Sequence, residues 1–196
     1  MKILGFVDVH GSTSALKKVI EKAKKADIII CAGDLSIFQE GLEILLSKLS
    51  KTKKLVLVIP GNHEDERLLA DMCSVFNNVL YMHERSYHFG KYVFFGYGGG
   101  GFSQNDERLE RLAKRFKKHL KKNDKVILFT HAPPYGTKLD KIRHDYVGNE
   151  SVNKFVRLIK PKLLICGHIH ETAGKSDKIG STKIINPGPE GRLIEI

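Results

Sequence analysis

No CxxC or other paired thiol spacing occurs in the chain. Its three cysteines, Cys31, Cys73 and Cys166, stand alone, and two of them lie in apolar runs where a thiol packs as a small hydrophobe. A reducing, cytoplasmic location is therefore the default expectation. No apolar run approaches the roughly 20 residues of a membrane span. Asp8 follows the first apolar run too closely for a signal-peptide core. A Pro/Ser/Gly-rich linker, a dividing charge block, an internal repeat and a low-complexity segment are all missing. The 196 residues therefore read as one domain, 1–196, large enough for a real core. Acidic side chains are the scarcer sign, 22 against 33 Lys and Arg, for a net charge of +11. That balance favours anionic partners without naming one. Most of the lysines, such as Lys17 to Lys25 and Lys114 to Lys122, fall in helical segments and read as a solvated surface. Gly98 to Gly101 are not a phosphate-binding P-loop, because no Gly-Lys-Ser/Thr follows, and they suit a tight backbone path.

What is present is a series of short apolar runs that each end on a polar side chain. Ile3 to Val7 runs into Asp8-Val9-His10, and Ile28 to Ala32 into Gly33-Asp34. Leu55 to Ile59 runs into Pro60-Gly61-Asn62-His63-Glu64, Val126 to Thr130 into His131, and Leu163 to Cys166 into Gly167-His168-Ile169-His170. Buried strands deliver chemistry at their carboxyl tips in open α/β sheets, so five such tips are expected to meet in one crevice. Helical periodicity predicts helices over Ser12 to Lys25, Ile37 to Leu49, Glu66 to Met72, Gln104 to Lys122 and Ser151 to Ile159. Further strands are expected near Val79 to His83, Tyr92 to Tyr97, Lys183 to Asn186 and Arg192 to Ile196. The polar stretch between the first two of these reads as a hairpin connection, and Pro133 to Asn149 as an irregular loop. The opening β-α-β-α-β order argues for a parallel sheet.

Asp8, His10, Asp34, Asn62, His131, His168 and His170 make seven candidate metal ligands. That is too many for one tetrahedral ion and well matched to two ions sharing a carboxylate. Asp34, with two oxygens to give, is the best candidate for the bridge. In Asp8-Val9-His10 and His168-Ile169-His170 the spacing of two places both side chains on one face if the chain stays extended. Imidazole, carboxylate and one amide without thiolate suit Mn, Fe, Co, Ni or Zn, with manganese the first expectation. Two such ions suggest hydrolysis by bound hydroxide, since a metal lowers the pKa of its water from about 15.7 to about 7. His63, beside Asn62, is placed to protonate a leaving group, with Glu64 to orient it. Asn62 also reads as a helix cap. Arg143 and His144, in the cationic loop after His131, are candidates to touch substrate phosphate. His83, His88 and His119 have no partner pattern and are expected at the surface.

The five blocks Asp8-Val9-His10-Gly11, Gly33-Asp34, Gly61-Asn62-His63-Glu64, His131 and Gly167-His168-Ile169-His170 resemble, in order, the calcineurin-like metallophosphoesterases. Thr130 to Thr137 and Asn186-Pro187-Gly188 look like the small single-domain prokaryotic or archaeal members. The resemblance implies an α/β fold, a four-layer α/β/β/α sandwich with two mixed β-sheets. It also implies that Asp8, His10, Asp34 and His170 hold one metal and Asp34, Asn62, His131 and His168 the other. The family often has Asp where Glu64 stands, which bears on the orienting role. The implied activity is metal-dependent cleavage of a small phosphomonoester or phosphodiester. The alternatives are a nuclease, for which the extra DNA-binding domain of dedicated members is missing, and a protein-interaction scaffold, against which the intact ligand set argues. Nucleic acid is thus a partner the charge permits and the motifs do not favour.

Overall fold

The computed structural model describes residues 1–196. The first half alternates strand and helix: β1 (Lys2–Phe6), α1 (Thr13–Ala23), β2 (Ile28–Cys31), α2 (Leu42–Ser50), β3 (Leu55–Val58), α3 (Glu66–Ser74) and β4 (Val79–Tyr81). β5 (Arg85–Phe89), β6 (Tyr92–Tyr97), α4 (Glu107–His119) and β7 (Lys125–Thr130) follow. A small hairpin of β8 (Lys141–Ile142) and β9 (Asp145–Tyr146) precedes α5 (Glu150–Ile159) and β10 (Leu163–Ile165). The chain closes with β11 (Ser176–Ile179), β12 (Thr182–Ile185) and β13 (Arg192–Glu195). Helix starts follow local chemistry, since Ser12, Asp65, Asp106 and Asn149 each accept an N–H from the first turn of their helix.

Two sheets result, with strand orders β13-β1-β2-β3-β4 and β11-β12-β10-β7-β6-β5. Their inner strands are parallel, while β13, β11 and β5 run antiparallel at the edges. Because side chains alternate along a strand, each continuous apolar run feeds two cores. Leu4, Phe6, Ile29, Cys31, Val56 and Val58 face α1, α2 and α3 through Leu16, Leu46 and Leu69. Ile3, Ile28, Ile30 and Leu57 point the other way and meet Phe94, Ile127, Phe129 and Ile165 of the second sheet. That sheet's outer face carries Phe95, Leu128 and Leu164 against Leu109 and Phe116 of α4 and Phe155 of α5. The layers are therefore α/β/β/α with two mixed sheets, as the resemblance implied.

Four local expectations are corrected. The helix expected from Ile37 begins at Leu42 after Gly41, and Phe38 and Gln39 sit in left-handed conformations (φ 45° and 70°) that no helix accommodates. The connection after His83 contains strand β5, and β4 and β6 belong to different sheets. β11 is a further strand without an apolar run. Both β5 and β11 are edge strands largely exposed to water, so no burial pattern marks them. The loop from Pro133 to Asn149 is not wholly irregular, since it contains the β8–β9 hairpin, and the buried Asp140 carboxylate accepts the N–H groups of Gly136, Thr137 and Gly148 at 2.9, 2.7 and 3.0 Å.

Phe129 lies wholly buried between the sheets, two residues before His131. Phe129→Ala is expected to cost about 3–5 kcal/mol in urea unfolding. A loss below about 1 kcal/mol would mean that the facing sheets do not share this core.

Candidate metal centre

The carboxyl ends of β1, β2 and β3 in one sheet and of β7 and β10 in the other carry the seven expected donors, so the crevice lies between two sheets. The extended-chain reading of the spacing-of-two motifs does not hold. Asp8, His10, Asp34 and His168 have φ of 56°, 47°, 50° and 68°, and His170 opens a 3-10 turn. Side chains of that kind are uncommon in this region, and its occurrence at four donors marks loops held by their surroundings.

Asp34 is the centre of the cluster. Its Oδ1 accepts the His63 N–H at 3.0 Å, while its Oδ2 lies 3.3 Å from His131 Nε2 and 3.7 Å from His10 Nε2. On one side, donor atoms of Asp8, His10 and His170 lie within 4.8 Å of one another, as do those of His10, Asp34 and His63. On the other side the same holds for Asp34, His131 and His168. Asn62 joins this second group, its Oδ1 lying 3.0 Å from His131 Nε2.

The arrangement fits a bound cation on chemical grounds. His131 Nδ1 faces the Ala32 carbonyl at 3.0 Å, and a carbonyl only accepts, so Nδ1 carries a proton. Nε2 is then left facing two oxygens, Asn62 Oδ1 and Asp34 Oδ2. His168 Nε2 is buried with no hydrogen-bond partner, and His10 Nε2 faces His170 Nε2 at 3.0 Å. Burial favours neutral Asp34, yet hydrogen bonding to and the charge of His131 hold its pKa down at about 2. Burial likewise opposes the His131 cation, but Asp34 outweighs it and raises its pKa. His168 is pushed down to about 4, first by burial and then by His131. Burial lowers His10 against the pull of Asp34 and Asp8, and it raises Asp8. His10 and His168 therefore favour the neutral form a metal requires, while Asp34 draws positive charge onto His131, a place a bound cation would take.

Backbone contacts fix the donors. Glu64, expected to orient His63, instead clamps the loops that carry Asp34. Its buried carboxylate accepts the N–H of Asp34 (3.1 Å), Gly61 (2.9 Å) and Ser36 (2.8 Å) and the Ser36 hydroxyl (2.8 Å). Gly61 passes so close that a Cβ there would lie 1.9 Å from Asp34 Oδ1. Asn62 does not cap α3, because Asp65 does. Both oxygens of Asp8 receive the His168 N–H, at 3.1–3.2 Å. Asn186, buried near the C-terminus, donates to Ile169 O and Thr172 Oγ1 and so supports the loop of His168 and His170.

His63 is half-buried. Its ring lies edge-on to His10 at 4.9 Å, and its Nδ1 has no partner. Arg143 and His144 form the exposed turn between β8 and β9 and make no hydrogen bond, ion pair or ring contact with the cluster. His83, expected at the surface, is buried, and its Nδ1 accepts the Gly98 N–H at 2.9 Å. Gly98 does serve a tight path, since a Cβ there would meet Pro60 O at 2.3 Å. His88 and His119 are exposed.

A four-layer sandwich with histidines and aspartates gathered at its strand tips defines a metallophosphoesterase class of protein. The sequence profile of the calcineurin-like phosphoesterases matches residues 1–172, and the chain belongs to that family. It is similar to an uncharacterized protein of Methanocaldococcus jannaschii, 29% identical over 206 residues that cover 99% of this chain and 91% of that one. Its fold is similar to that of a Thermus thermophilus protein (TM-score 0.75, 20% identity, 96% of this chain and 90% of that one). It is also similar to that of a dimetal phosphatase from Danio rerio (TM-score 0.68, 13% identity, 94% and 86%).

Glu64→Gln keeps the shape but must turn an amide NH₂ toward one set of these N–H donors. It is expected to cost about 1–3 kcal/mol in urea unfolding and to lower metal content by elemental analysis. Unchanged stability would show that the clamp contributes nothing.

Proposed function

We propose that this protein is a metal-dependent hydrolase of small phosphoesters, mono- or diester, built as one domain over residues 1–196. The observation that carries the reading is Asp34 Oδ2, a buried carboxylate oxygen set between His10 on one side and His131 on the other. Asp8, His10, Asp34 and His170 would hold one divalent ion, and Asp34, Asn62, His131 and His168 a second. Manganese is the first to test, with iron, zinc, nickel and cobalt as alternatives. When bound, such a pair supplies Lewis acidity to a phosphoryl group and lowers the pKa of water toward neutrality.

The chain's own groups do the rest. His131 keeps Nδ1–H on Ala32 O and turns Nε2 toward Asn62 and Asp34, while the His63 N–H holds Asp34 through Oδ1, so that Asp34 would be able to serve both ions. His63 moves the proton. A ring nitrogen lies within 4.8 Å of donor atoms of His10 and Asp34, from where it can protonate the departing oxygen. The three buried free thiols support a reducing, cytoplasmic setting. No helix is long and apolar enough to cross a membrane.

Elemental analysis is expected to find close to two transition-metal ions per chain, and Asp34→Asn to lose both occupancy and activity. Metal-free protein that still hydrolyses phosphoesters in chelator would overturn the reading. His63→Ala should keep the metals yet lower kcat by roughly 10²- to 10⁴-fold. The loss should shrink on substrates whose leaving group needs no proton, such as p-nitrophenolate. Equal losses on good and poor leaving groups would remove His63 from that role.

A further inference from the structure

Phe38 and Phe102 are the two most exposed aromatic side chains of the protein, at 76% and 63%. They come from loops far apart in sequence. The Phe38 ring lies 4.8 Å from the ring of His63, and the Phe102 ring 4.5 Å from that of His168, with interplanar angles of 53° and 63°. Scattered single apolar residues on a surface need no explanation. Two that each rest on a different histidine of one cluster, on its His10 and His131 sides respectively, do. Both rings are carried by unusual backbone. Phe38 has φ 45°, a region bulky side chains rarely adopt, and Phe102 follows Gly99, Gly100 and Gly101, all at positive φ.

We infer that Phe38 and Phe102 are specificity-determining walls of the metal centre that receive a planar organic group of the substrate, so that its substrates are aryl or nucleoside phosphoesters. The inference rests on the phosphoesterase reading above. Stacking on an exposed phenyl ring removes apolar surface from water, and it works for any base or aryl ring because each offers a π-face. A methyl or glyceryl ester offers none. The rings border histidines of the centre that the phosphate would enter, so the flanking phenyls would select the group attached to it.

The test is calorimetric binding of phenylphosphonate and of methylphosphonate to the manganese-loaded protein. Both carry the same anionic head and a P–C bond, so affinity is read without turnover. Phenylphosphonate is expected to bind at least about tenfold more tightly, within the range that stacking on one aromatic side chain supplies. In the Phe38→Ala/Phe102→Ala variant that ratio should fall to about twofold or less. Phe89→Ala should keep the wild-type ratio. Phe89 is exposed too, but it pairs with Tyr92 at the opposite end of the six-stranded sheet from His131. Phe38→Leu and Phe102→Leu, which keep apolar bulk without a ring, give the same reading should the double variant unfold. Equal binding of the two phosphonates by the wild type, or a ratio that survives the double variant, overturns the inference and leaves the phosphoesterase reading standing. Binding of neither, together with no hydrolysis of phenyl phosphate or bis(p-nitrophenyl) phosphate, overturns both.

Discussion

Face-to-face burial of two sheets is the constraint on which the rest of this structure depends. Asp8, His10, Asp34, Asn62 and His63 leave strands of one sheet, whereas His131, His168 and His170 leave strands of the other. They meet only because Ile3, Ile30 and Leu57 pack on Phe94, Ile127 and Phe129 in one buried cluster. Packed sheets lie roughly 10 Å apart, and short loops at the strand ends can span such a gap. Helices on both outer faces complete the burial, which is why nearly every inner strand is apolar on both sides.

At the rim of that core the order passes from hydrophobic packing to hydrogen bonding. Each strand end must turn sharply to present a side chain, and four donor residues do so in left-handed conformations that L-residues disfavour by roughly 1–2 kcal/mol each. The cost is offset by side chains that hold the backbone of these loops. Glu64 collects N–H groups from the loops after β2 and β3, Asp8 receives the His168 N–H from across the two sheets, and Asn186 supports the His168 loop from below. The side-chain oxygens of Glu64 and Asp8 thus act as structural acceptors of backbone N–H groups.

The same burial sets the electrostatics. A carboxylate as enclosed as Asp34 is costly to ionise unless positive charge lies beside it. In the protein alone His131 answers that demand, which is why the two pKa values move apart, Asp34 down and His131 up. Bound divalent cations would answer it more fully and would also take up the Nε2 lone pairs of His10 and His170, which face each other, and of His168, which has no partner. Strain, enclosure and unpaired nitrogen donors coincide at one place, the pattern expected of a functional site.

Much of this was legible in the sequence because the determinants are local. Apolar runs that stop at a polar tip give the strands and the donors, and Ser12 gives a helix start. The seven donors and His63 could therefore be named from the chain alone, along with the resemblance their order carries. Edge strands β5 and β11 could not, because exposed strands have no burial period, nor could the late start of α2, where Phe38 leaves helical geometry to reach His63. The roles of Glu64, Asp140, Asn186 and the buried His83 depend on partners 30, 8, 17 and 15 residues away, respectively. What the sequence determined by itself is which residues end each strand. Which tips face each other, which oxygen of Asp34 takes the His63 N–H, and which aromatic rings border the histidines were decided only by tertiary structure, since two sheets must first bury their shared face before loops from different strands have a common space to enter.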